Sequence, residues 1–223
     1  MSLQAIETAR SSGAADMLVG LAASEGSAAH AFVESPLLLG GSHATRNLAD
    51  AVHYLSVLHG RYPGVIDYAA NKTTHAAARG WIAAAAEGFA KERALLTRLA
   101  VAVGPLPSTP GQAESEAAVL QQRHALEMLA QSDRNGCALG AAFALALDWR
   151  AIRGVLDAAS ARLSLPYEPA ELPDEQETRT ALMAVAETSA IERALSFGAQ
   201  QILSQHRGLW DLLEARQAAR IDL

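Results

Sequence analysis

Alanine is the feature that most limits what this chain can become. It recurs from Ala5 to Ala219, while the β-branched and aromatic residues that build strands are thinly spread. Alanine has the best intrinsic helix propensity, and strands favour Val, Ile, Thr and aromatics, so the composition predicts an all-α fold with almost no sheet. In 223 residues, of which 50% are hydrophobic, one sizeable core can be buried. The expected organisation is a single all-helical domain over 1–223, in which short helices and a loop in 1–41 pack on a bundle formed by 42–223.

Punctuation residues divide the chain. Gly13 and Gly20 are expected to break residues 3–23 into one or two short helices. A short helix over 27–34 should stop at Pro36, and Ser42 is a good N-cap for a helix over 43–59 ended by Gly60. Pro63 suits the first position of a short helix through Asp67 to Asn71. The spacing then predicts long helices over 75–103, 112–131, 137–163 and 175–205, and a last amphipathic stretch over 209–219. Between them lie Gly104 with Pro105, Pro107 and Pro110, then Asn135-Gly136, then Pro166, Pro169 and Pro173. Asp174 with Glu177 three residues on is a capping-box start signal. Four long helices with short N-terminal additions suggest a bundle.

The formal net charge is −6 and lysine occurs only at Lys72 and Lys91, which argues against a nucleic-acid partner needing a basic face. The single Cys137 excludes an internal disulfide and any Cys-rich zinc site, and it fits a reducing compartment. The N-terminus carries Glu7 and Asp16 and no basic stretch before an apolar core, so it does not read as a signal peptide. The longest uncharged apolar run, 135–147, falls short of the roughly 20 residues that span a bilayer. A cytoplasmic, soluble chain with no membrane partner is expected. Small-residue faces that pack closely, and an apolar ridge over 209–213, suggest a homo-oligomer.

Chemistry enters through polar residues on apolar faces. At about 100° per residue, Glu92 falls near the middle of the stripe Trp81, Ala85, Gly88, Leu95, Leu96 and Leu99. His59 continues the stripe of Leu48, Val52 and Leu55. Asp148 belongs to the apolar side of its helix, opposite Arg150, Arg153 and Asp157. Glu187 lies in the path of Met183, Ala186, Ala190 and Ile191. A buried carboxylate is costly unless paired, protonated or bound to metal. Four helices each offering one inward ligand is the inventory of a carboxylate-rich metal site, so His59, Glu92, Asp148 and Glu187 are the candidate ligands, with iron or manganese as the candidate ion. That points to a metal-binding oxidoreductase of ferritin-like or haem-oxygenase-like architecture.

Spacing does not reinforce this. The di-iron pattern Glu-x-x-His is absent, and the reversed His124-Ala-Leu-Glu127 suits a surface ion pair. Glu92 and Asp148 could instead pair with Arg46, Arg79 or Arg123, and His59 could close its helix through the C-terminal carbonyls. The alternative is therefore a non-enzymatic binding or regulatory module, holding an apolar small molecule or a protein partner, with a pocket lined by Trp81, Phe89, Phe143 and Trp149. The histidines His43, His53, His59 and His75 cluster around a Gly/Pro turn. A haem would need a slot such as Gly136, Gly140, Ala141 and Ala144 could line, though the same residues permit close helix packing. Cys137, at a helix N-terminus, reads as a reactive thiol or as a small buried apolar residue. No phosphate-binding loop, Gly-x-Ser-x-Gly elbow or His-Glu-x-x-His occurs.

Overall fold

The computed structural model describes the backbone of residues 3–221 and the side chains of residues 12–220, so Glu7 lies outside the described side chains. Among these residues there are nine α-helices and no strand, which makes the fold all-α. They are α1 (Leu3–Glu25), α2 (Pro36–Leu39), α3 (Ala44–His59), α4 (Val65–Lys72), α5 (Arg79–Ala102), α6 (Gln112–Ala130), α7 (Cys137–Arg162), α8 (Glu175–Val185) and α9 (Ser189–Ile221). Short 3-10 turns at Ser27–Ala29 and Ala76–Ala78 precede α2 and α5.

Helix α7 lies at the centre, against α1, α3, α4, α5, α6, α8 and α9. Its first half is apolar all round, and Cys137 through Ala146 are all buried. The closest packing is between α7 and α9, where glycine is required on both sides. A Cβ on Gly140 would overlap the backbone of Leu195, and one on Gly198 would overlap the carbonyl of Cys137. Gly136, Gly140 and Ala141, which could have lined a haem slot, instead lie against α9, so small side chains here serve close approach.

Several boundaries differ from expectation for identifiable reasons. Helix α1 runs unbroken through Gly13 and Gly20, whose Cα hydrogens face open space, because Ala15, Leu18 and Ala22 are buried on its inner side. A glycine in a helix costs only about 0.5–1 kcal/mol, which such burial offsets. Pro36 begins α2 instead of ending a helix, with the Ser35 hydroxyl accepting from the Leu37 N–H at 3.0 Å. His43, not Ser42, precedes α3. Pro63 lies before α4, whose N-cap is Gly64; the Tyr62–Pro63 bond is cis.

The expected helix over 175–205 is two helices. Its start is as read, with Asp174 and Glu177 forming a reciprocal capping box. It ends at Val185, and α9 begins after Thr188, whose hydroxyl accepts the Ile191 N–H at 3.3 Å. Threonine in that role is an N-cap. Helix α9 then continues through Gly208 and absorbs the stretch read as separate, reaching 33 residues, about 50 Å at 1.5 Å per residue.

Candidate functional site

The core contains a line of polar side chains contributed by elements far apart in sequence. Asp148, on the inner face of α7, meets the turn at Ser27: the Ser27 backbone N–H donates to Oδ1 and the Ser27 hydroxyl to Oδ2, both at 2.6 Å. Gly26 allows this approach, since a Cβ there would overlap the Asp148 carboxylate and the Ala22 carbonyl. From α9, His206 donates through Nδ1 to Asp148 Oδ2 at 2.6 Å, and one turn later Trp210 Nε1 donates to the Ser27 hydroxyl at 2.8 Å. His206 Nε2 faces His59 Nε2, at the end of α3, at 2.9 Å.

One hydrogen serves the two facing Nε2 atoms, so one ring donates and the other accepts. Asp148 with His206 is the arrangement by which a carboxylate fixes the orientation of an imidazole. His206 is fully enclosed and His59 nearly so. The His59 ring makes edge contacts with Trp149 at 5.4 Å and Phe89 at 6.1 Å between centroids. Burial, then the facing His206, hold its pKa well below the ordinary histidine value, because neither an apolar cage nor a second imidazole favours added charge.

Trp149 links this line to a second group. Its Nε1 donates to Glu92 Oε2 at 2.9 Å, and Arg153 Nη1 donates to Glu92 Oε1 at 2.6 Å. Arg153 also binds Asp157 at 2.8 Å and the Glu168 carbonyl of the 163–174 crossover. Burial pushes the Glu92 carboxyl upward, with Trp149 and Arg153 opposing that shift. Arg153, placed by periodicity on a polar side, is in fact buried. It is the partner of Glu92, in place of Arg46, Arg79 or Arg123; Arg123 lies beside Glu127 at 3.3 Å.

Two more buried carboxylates have the same character. Asp67 accepts from both Arg93 Nη atoms at 2.9 and 3.1 Å, and Asp50 accepts from Arg216 and Arg220. Each of these four buried acids therefore has a cationic or imidazole partner from another helix.

Three of the four residues selected from sequence are buried, and contacts join them: His59 reaches Asp148 through His206, and Glu92 through Trp149. They do not converge on one point. Glu187 is exposed, in the link between α8 and α9, because the Thr188 cap interrupts the helix on which its inward position was calculated. Among the described residues, no group of three or more His, Cys, Asp or Glu side chains could hold a metal ion. His124 and Glu127 lie 3.9 Å apart on the surface, and Cys137 is buried. His206, Ser27, Trp210 and Arg153 escaped the sequence reading. His206 had a signal: Ile202, Leu203, His206, Leu209, Trp210 and Leu213 form one helical stripe, all buried, hidden by ending the helix at Gln205.

The aromatics expected to line an internal pocket are packed against each other, Trp81 with Phe143 at 4.3 Å and Phe89 with Trp149 at 4.7 Å. Trp81 also borders a surface groove. This open groove of about 410 Å³ runs between α5 and α8, lined by Gly80, Trp81, Ala84, Pro173, Ala181 and Ala184. The indole is fixed by donating to the Thr178 hydroxyl at 3.0 Å. Gln176, Glu177 and Thr180 supply a polar side.

The architecture is that of an all-helical protein wound about α7, and no helix among the described residues is long and apolar enough to cross a membrane. The chain belongs to the family of unknown function DUF6975, whose profile matches residues 22–221. No curated protein and no solved structure matches it.

Proposed function

We propose that this chain is a helical binding module that holds an apolar ligand in the groove between α5 and α8. The groove carries the reading: it has the volume of a small-molecule site, Trp81, fixed by Thr178, among its lining residues, small side chains from both helices and a few polar groups. The inward charges fit this reading as structural pairs, since Glu92, Asp148, Asp67 and Asp50 each already engage a partner of opposite or protonatable character. The metal-dependent oxidation reading needs Glu92 and Glu187 to leave these positions, which makes it the less favoured one.

The test is a titration with 1-anilinonaphthalene-8-sulfonate, with medium-chain fatty acids as competitors, on wild type and Ala84→Glu. Ala84 is exposed, so the substitution places a charge in the groove without entering the core. Saturable probe binding that the variant loses at unchanged melting temperature supports the proposal. Probe binding equal in both proteins, or none in wild type, rejects it.

A further inference from the structure

The groove between α5 and α8 has a charge as well as a shape. Gly88 of α5 lies against the Glu171 carbonyl, and Trp81, two turns earlier, donates to Thr178, so α8 runs antiparallel to α5. Gln176 and Glu177 therefore stand toward the Ala84 end of the groove. Ala181 and Ala184 continue it toward Ala77, where α8 packs on the turn Ala76–Ala78. From Glu177 to Ala184 is about 10 Å at 1.5 Å per residue.

Among the described residues lining the groove, Glu177 is the one ionisable side chain, and it is exposed. Its Oε2 accepts from the Asp174 N–H at 2.8 Å, and no donor among the described residues reaches Oε1. The cations of α5 and α8 are paired or turned away. Lys91, Arg93 and Arg98 pair with Glu171, Asp67 and Glu168. Arg179 lies about 160° round α8 from Glu177 and meets Asp16 and Glu175, and Arg79 lies about 140° round α5 from Ala84. The N-terminus of α8 contributes roughly half a positive charge at this end. Asp174, Glu175 and Glu177 stand in or beside that first turn, so negative charge prevails.

We infer that the ligand of this groove is a cationic amphiphile, an alkyl or aryl ammonium ion whose head meets Glu177 Oε1 and whose apolar body runs along Ala181 and Ala184. A carboxylate head of the same length would set like charges together at Glu177. The inference rests on the groove reading proposed above and adds the sign of the head group.

The test is calorimetric titration of the full chain at neutral pH and low ionic strength with octylammonium, 1-octanol and octanoate, which share one tail and differ in charge. Octylammonium should bind about tenfold more tightly than octanoate, an exposed ion pair replacing an exposed repulsion, with 1-octanol between them. High salt should shrink that preference. Glu177→Gln keeps a side-chain acceptor for the capping box, so the helix start survives. This variant should bring octylammonium down to the affinity of 1-octanol while 1-octanol itself is unchanged. Equal binding of octylammonium and octanoate, or a full octylammonium preference in Glu177→Gln, overturns the inference, and binding of 1-octanol in the same experiment leaves the groove reading standing. Binding of none of the three overturns both.

Discussion

Asp148→Asn isolates the central polar line without changing its volume. In the native core the carboxylate is 1% exposed and accepts three hydrogen bonds of 2.6 Å, from the Ser27 N–H, the Ser27 hydroxyl and His206 Nδ1. Each hydrogen bond to an ionised group contributes about 1.5–3 kcal/mol, against about 0.5–1.5 for a neutral pair, so three weakened bonds amount to roughly 3 kcal/mol. The asparagine NH2 must also face at least one of the three donors. Turned toward Ser27 N–H, it meets a group that cannot reverse its polarity. Turned the other way, it forces His206 to change tautomer and the Ser27 hydroxyl to find a new acceptor. The expected loss is about 3–5 kcal/mol, the range for breaking a buried pair from one side. For a chain of this length that is a fall in melting temperature of about 6–20 °C. Urea unfolding near neutral pH, followed by tryptophan fluorescence and far-ultraviolet dichroism, should show a lower midpoint at unchanged m. The matched control is Asp211→Asn, whose partner His30 is paired with an exposed carboxylate, and which should change stability by about 0–1 kcal/mol. A loss in Asp148→Asn as small as in the control would refute the assignment of the line as a main determinant of stability.

Acid should unfold the protein partly through His59. Its folded pKa is depressed, so below about pH 6.5 the unfolded chain binds a proton that the folded chain refuses. Stability from this group is complete above that pH and falls by up to about 1.4 kcal/mol per unit below it, and His59→Gln should flatten this limb in pH-dependent urea midpoints; identical limbs would sink the idea. Glu92 acts with the opposite sign: its raised folded pKa gives stability at acid pH that is lost as pH climbs above the ordinary carboxylate value, so Glu92→Gln should remove that decline. Gly198→Ala should lower stability by about 1–3 kcal/mol by driving α9 off the Cys137 carbonyl, whereas Gly154→Ala, whose Cβ meets nothing within 4 Å, should raise it by about 0.5–1 kcal/mol; equal effects in thermal melts would contradict the packing described. Elemental analysis of untagged protein should find iron and manganese well below one equivalent, and a stoichiometric metal lost in Glu92→Ala would restore the oxidoreductase reading.

What could be read from the sequence was whatever lies within one helix. The limits of α5, α6 and α7 follow from proline, glycine and cap residues within a few positions of each boundary, and the inward setting of His59, Glu92 and Asp148 follows from angular arithmetic along a single stretch. Arithmetic fails where one helix is taken for two or two for one. Continuing a stripe across Thr188 turned Glu187 inward, and stopping another at Gln205 hid His206. Partner identity was beyond reach for a different reason. Arg153 looks like a solvent residue to any hydropathy wheel, and only the crossover that brings the Glu168 carbonyl and α5 alongside it makes it a buried donor. Ser27, with no periodic neighbours, carries no local sign that its hydroxyl and backbone N–H will both serve an aspartate 121 residues away.

Helix α9 presents His206, Trp210, Arg216 and Arg220 to three separate elements, and Gly198 to a fourth contact on α7. Alanine surfaces are smooth, and two of them can be offset by one turn at little cost in contact area. A rod carrying several notches that fit different wards cannot be: a one-turn slide of about 5.4 Å strands every one of these groups together. The polar residues thus act as a key cut for a single depth of insertion, as lone polar residues do in choosing the alignment of coiled coils. Stripping them out should leave a chain that is still helical but no longer knows where along α7 its last helix belongs.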